Sequence, residues 1–124
     1  MSERPVVIAE VTFLRNEEGG RKSTPTLNVG KYMPHIVVQN PEVREAVVDD
    51  DRVCRELYQG IRFMDGPTDY RLGEAVLVEL DLMYFPDHGY DNVIPGATFT
   101  IREGWKIVGF GRVRSRSEPT RGSA

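Results

Sequence analysis

Cysteine and histidine are almost missing from this chain, and their scarcity removes whole classes of chemistry. The single Cys54 cannot close an internal disulfide, and no second cysteine or nearby histidine gives it a metal-ligand spacing. Arg52 and Arg55 flank it and would draw its thiol pKa down, but a catalytic thiol needs a base partner and none stands at a legible spacing, so Cys54 reads as an ordinary half-buried cysteine. His35 and His88 are too separated to suggest acid–base or metal chemistry, and His88, near Asp87 and Asp91, reads as a surface histidine. Long apolar runs are missing too. Nothing approaches the ~18 residues of a membrane span, and MSERPVVIAE is too short an apolar stretch for a signal peptide, so no membrane association and a cytoplasmic location are expected. Nor is there a cationic excess. A net charge of −3 and a pI near 5.4 argue against generic nucleic-acid affinity, although a local basic patch stays open. The polar loop from Arg15 to Pro25 fails the spacing of a phosphate loop, so GTP is not expected, and with no catalytic chemistry standing out elsewhere the chain is expected to be a non-enzyme without a cofactor.

What remains is rich in strand patterns. At 124 residues, with 28% charged and 40% hydrophobic residues, the chain is expected to form one globular domain with its own core. The stretch Ala97 to Val113 organises it: two alternating runs meet at Glu103-Gly104 and read as a β-hairpin. A three-residue loop of Glu103, Gly104 and Trp105 pairs Ile101 with Ile107 and sets Arg102 beside Lys106 on the wet face. Gly109 and Gly111 weaken a strand unless backbone passes close, which predicts a tightly curved barrel wall. Further strands are read at Pro5–Leu14, His35–Gln39, Ile61–Met64 and Ala75–Phe85, the last with Val76, Val78, Leu80, Leu82 and Tyr84 on one face and Glu79 and Asp81 on the other. Six strands without βα alternation make an all-β barrel or sandwich.

Residues 41–59 break the pattern. Glu42, Glu45, Asp49, Asp50, Asp51 and Glu56 oppose Arg44, Arg52 and Arg55, and Asn40 before Pro41 could cap a helix, so this is read as a partly helical acidic insertion. It serves either as a solvated face or as a docking surface for a basic partner. Residues 114–124 carry no apolar side chain before the final alanine and are expected to form a disordered tail after a domain at 1–113. Trp105, in the hairpin loop, either presents its indole to a partner or folds over the barrel end as a plug.

Two segments resemble the C-terminal, third domain of elongation factor Tu. They are Glu18-Gly19-Gly20-Arg21 with Thr24-Pro25 and Tyr32-x-Pro34, and Phe99-x-Ile101-Arg102-Glu103-Gly104 with Val108-Gly109-x-Gly111-x-Val113. In that family the corresponding words are EGGR, TP, Y-x-P, F-x-IREGG and VGAGVV, in the same order. The likeness covers roughly residues 5–113 and implies a six-stranded antiparallel Greek-key barrel. That barrel belongs to a GTPase that carries aminoacyl-tRNA, and it meets the T-stem, the nucleotide-binding domain and the exchange factor. The GTPase domain has no counterpart here. The resemblance therefore implies a binding module that meets a protein partner of the translation apparatus, or alternatively one that contacts a tRNA backbone. Matched residue by residue, Lys22, His35, Glu103 and Gly104 fall where the family meets the T-stem. With Arg21, Arg102 and Trp105 they form the expected partner or RNA surface. The chain departs from the family at His35, where a glutamine is expected, at Trp105 in place of a second glycine, and in the acidic insertion. Asp49 to Asp51 beside such a surface would repel phosphates by ~1 kcal/mol per close pair.

Overall fold

The computed structural model of the chain describes residues 4–46, 56–86 and 90–118. Along β1 (Val6–Phe13) every second residue is buried, so Val7, Ala9, Val11 and Phe13 face inward. β4 (Ala75–Leu82) alternates likewise as far as Leu80, with Val76, Val78, Leu80 and Leu82 in the core and Asp81 buried between the last two against Arg4 and Arg62. With β2 (His35–Val38), β3 (Gln59–Asp65), β5 (Thr98–Glu103) and β6 (Lys106–Ser117), these strands close a barrel in the order β1-β4-β3-β2-β5-β6, every pair antiparallel. β2, β3 and β4 follow one another and β1 returns beside β4, which is the Greek-key arrangement. Closure leaves no free sheet edge. No helix among the described residues is long and apolar enough to cross a membrane.

The curved wall expected at Gly109 and Gly111 is present. A Cβ at Gly109 would lie 2.7 Å from the Thr12 carbonyl oxygen, and one at Gly111 would lie 2.6 Å from that of Glu10. β6 therefore presses its bare backbone against β1.

Three sequence readings need correcting. The β5–β6 hairpin has a two-residue loop, Gly104-Trp105, and Glu103 pairs with Lys106. A bulge then shifts the register, so Ile101 faces Gly109 and not Ile107. Gly104, at φ 65°, takes the left-handed conformation that the first position of such a loop demands. The bulge lets Ile107 and Val108 both be buried, and Arg102 lies under protein and not on a wet face. β4 stops at Leu82, because the Phe85 amide turns back to the Leu82 carbonyl at 3.1 Å, and Tyr84 is exposed. Residues 114–117 are not part of a tail. They continue β6, with Val6 paired to Ser117, and Arg116 donates to the Tyr90 and Val93 carbonyls at 2.7 and 3.0 Å. Of the partly helical insertion read at residues 41–59, the described stretches 41–46 and 56–58 are irregular, and Asn40 Oδ1 accepts from the Glu42 amide at 2.8 Å in a turn. Residues 47–55, with Cys54 and Asp49 to Asp51, lie outside the described residues, as does His88.

One barrel end is stoppered by aromatic rings. Phe13 packs with Phe63, Tyr32 and Tyr70 at centroid distances of 5.9, 6.0 and 6.3 Å, and Tyr32 meets Phe63 at 5.2 Å. The Tyr70 hydroxyl donates to the Pro25 carbonyl and ties the loop after β1 over the rings. Burial pushes the Tyr70 phenol up to about 12 and, with the Glu103 carboxylate beside it, pushes that of Tyr32 higher still.

Two outcomes follow from this packing. Gly111→Ala should cost about 1–3 kcal/mol through overpacking against β1, read as a lower urea midpoint; an unchanged midpoint would mean the wall tolerates a side chain. The tyrosines set a pH limit. Because the folded state holds these phenolic protons more tightly than the ordinary value of 10.0, their contribution is whole below pH 10 and drains away as pH rises toward 12. Spectrophotometric titration should show Tyr32 and Tyr70 ionising only as the barrel unfolds, whereas ionisation of all five tyrosines of the native protein near pH 10 would contradict this.

Candidate functional site

Glu103 closes β5, and its Oε2 accepts hydrogen bonds from the Tyr32 hydroxyl, at 2.6 Å, and from the Arg21 guanidinium. Arg21 also lies over the Tyr32 ring, 5.5 Å from its centroid. This cluster fastens the long loop between β1 and β2 to the hairpin tip. It holds Gly104 and Trp105 at the surface, and Trp105 keeps 54% of its area exposed. Trp105 is thus not the plug of the barrel end, a role taken by the aromatic rings around Phe13. Lys22 follows Arg21 in the same loop and is exposed.

Arg102 does something different. Its side chain leaves the outer face of β5, yet it is fully buried, because the residues flanking the insertion fold over it. Nη1 and Nη2 donate to the two Glu56 carboxylate oxygens at 3.0 and 2.8 Å, a bidentate pair. Nη1 also reaches the Tyr58 hydroxyl at 2.7 Å, Nη2 the Gln39 Oε1 at 2.7 Å, and Nε the Thr100 hydroxyl at 3.1 Å. Burial opposes the guanidinium charge, but the Glu56 carboxylate and the Tyr58 hydroxyl outweigh it and raise the pKa of Arg102 above its ordinary value. His35 pairs with Arg102 across β2–β5 and packs its ring on Tyr58 at 5.9 Å, so it is half-buried behind this cage. Arg102 and His35 are therefore withdrawn from the surface that sequence reasoning gave them.

The insertion then runs along the outside of β6. Arg44 lies over the Phe110 ring at 5.2 Å and donates to the Pro41 and Val43 carbonyls, and Glu45 and Ala46 arrive beside Trp105. Between them opens a cleft of about 400 Å³. Leu14 and Ile107 line it with Trp105, and Glu18, Glu45 and Lys106 add charge. Three segments distant in sequence build it: the 3₁₀ turn Asn16–Glu18, the hairpin tip and the insertion. Of the predicted surface residues, the structure brings together Arg21, Glu103, Gly104 and Trp105, with Lys22 alongside. Sequence reasoning missed Glu18, Glu45, Glu56, Tyr58 and Gln39. A polar residue such as Gln39 next to a strand end was the available signal, but its partners lie across the insertion. Among the described residues, no group of three or more His, Cys, Asp or Glu side chains could hold a metal ion.

No protein-family model matches the chain, and no curated protein matches it either.

The Arg102–Glu56 pair should behave as a coupled unit. Arg102→Met leaves the Glu56 carboxylate buried and is expected to cost about 3–5 kcal/mol, and adding Glu56→Leu should recover much of that loss. Urea denaturation of the single and double variants measures the coupling, and simple addition of the two losses would show that the pair is not one.

Proposed function

We propose that this chain is a non-enzymatic binding module that docks a protein partner of the translation apparatus through the cleft at the hairpin tip. The observation that carries the reading is Trp105: a large indole, 54% exposed, stands at a concave site assembled from three separate segments. The groups around it offer a π face, an aliphatic floor and carboxylates, which suit recognition. The resemblance of the two glycine-centred segments to the third domain of elongation factor Tu supports a role beside the translation machinery, and it does so on the sequence alone.

The tRNA reading has less support. Arg102 is enclosed with Glu56, and Arg21 is paired with Glu103, so two of the cations assigned to a phosphate contact are already neutralised. Arg116, a further cation at the end of β6, is 10% exposed and bound to Glu118 and to two carbonyls. Lys22 and the Gly104 amide remain on the surface.

Immobilised protein should retain proteins of the translation apparatus from an extract of the source cells, and Trp105→Ala should lower that retention about tenfold or more, as loss of a hot-spot aromatic does. Unchanged retention by the variant, or recovery of tRNA with an affinity that falls steeply with salt, would count against the proposal.

A further inference from the structure

We infer that the cleft takes an arginine side chain from a basic segment of the protein partner, a step that rests on the docking role proposed above and names its chemistry. The charges that still face outward select the occupant. Arg44 lines the cleft, but its guanidinium is stacked on Phe110 and bonded to the Pro41 and Val43 carbonyls, so its hydrogen-bonding capacity is directed into its own segment. Glu103 is satisfied by Arg21 and Tyr32. Glu18 accepts the Arg15 amide through Oε1 at 2.9 Å, which leaves Oε2 for a ligand. Glu45 lines the opposite wall and is exposed, while Glu17 and Glu42 lie exposed in the same two segments. Against these carboxylates the cleft sets Lys106 and the charge of Arg44, whose Nη1 is turned to the carbonyls of its own segment.

The shape fits the same occupant. Leu14 and Ile107, both nearly buried, form an apolar floor, and Trp105 supplies an accessible ring face. A side chain with a hydrocarbon stem and a planar cationic head satisfies all three features. Its stem covers the floor, its guanidinium stacks on the indole, and its N–H groups fork toward a carboxylate. A nucleic acid would instead bring phosphates against Glu18 and Glu45. The net charge of −3 draws a basic partner from a distance.

Trp105 is the only tryptophan of the chain, so its fluorescence reports on the site directly. The full-length protein is titrated with a short arginine-rich peptide, with the same peptide carrying neutral citrulline in place of each arginine, and with tRNA. The arginine peptide should shift Trp105 emission saturably, the citrulline peptide should not, and Glu18→Gln with Glu45→Gln should weaken binding about fivefold, as loss of two exposed ion pairs does, with the circular dichroism spectrum unchanged. Equal binding of the citrulline peptide, tighter binding of tRNA, or no saturable change would overturn the inference. If the arginine peptide fails while Trp105→Ala still abolishes partner capture, the chemistry named here is wrong and the docking role stands; if capture is also insensitive to Trp105, both fall.

Discussion

The Arg102 guanidinium faces away from the core and yet sees no water. A buried cation is tolerated only when its charge and its N–H groups all find partners, and here Glu56, Tyr58, Gln39 and Thr100 supply them at 2.7 to 3.1 Å. Two of these partners, Glu56 and Tyr58, come from the far end of the insertion, one, Gln39, from its near end, and one, Thr100, from the strand beneath. The cage thus welds an irregular excursion onto a regular wall. Everything built from that excursion inherits its position from this one side chain, including the Glu45 wall of the cleft.

Two further constraints frame the same surface. Rings around Phe13 fill one end of the barrel, which leaves Trp105 no cavity to enter and keeps it outside. The bond from Tyr32 to Glu103, reinforced by Arg21, then joins the filled interior to the hairpin tip. Core packing and surface presentation are therefore one continuous chain of contacts, running from Phe63 through Tyr32 to Glu103 and on to the indole two residues later.

Much of the barrel was legible from alternation alone. In β1, and in β4 as far as Leu80, the buried residues fall at every second position, and the glycines of β6 signalled close backbone approach. What failed was local. The hairpin register depends on a bulge that has no mark in composition, and Arg102, on the outer face as expected, is buried by Gln39, Glu56 and Tyr58, which no local pattern announces. The end of β6 is polar because Arg116 serves the Tyr90 and Val93 carbonyls, so a search for apolar periodicity ends too soon. Of the site, the hairpin and the Arg21 loop were visible as glycine-centred motifs. The cleft was not, since it exists only when Glu18, Glu45 and Trp105 meet in space.

The gathering of Gln39, Glu56 and Tyr58 at a single guanidinium has a consequence for how this chain tolerates change. The excursion between them is pinched shut at its base, so its span is decoupled from the strand geometry on either side. Lengthening a pinched loop raises its closure entropy only as the logarithm of its length, roughly 0.6 kcal/mol for each doubling. The described ends of the segment, residues 39–46 and 56–58, are thereby fixed against the wall, and a change of length between them carries only this small closure cost while the cylinder beneath keeps its register.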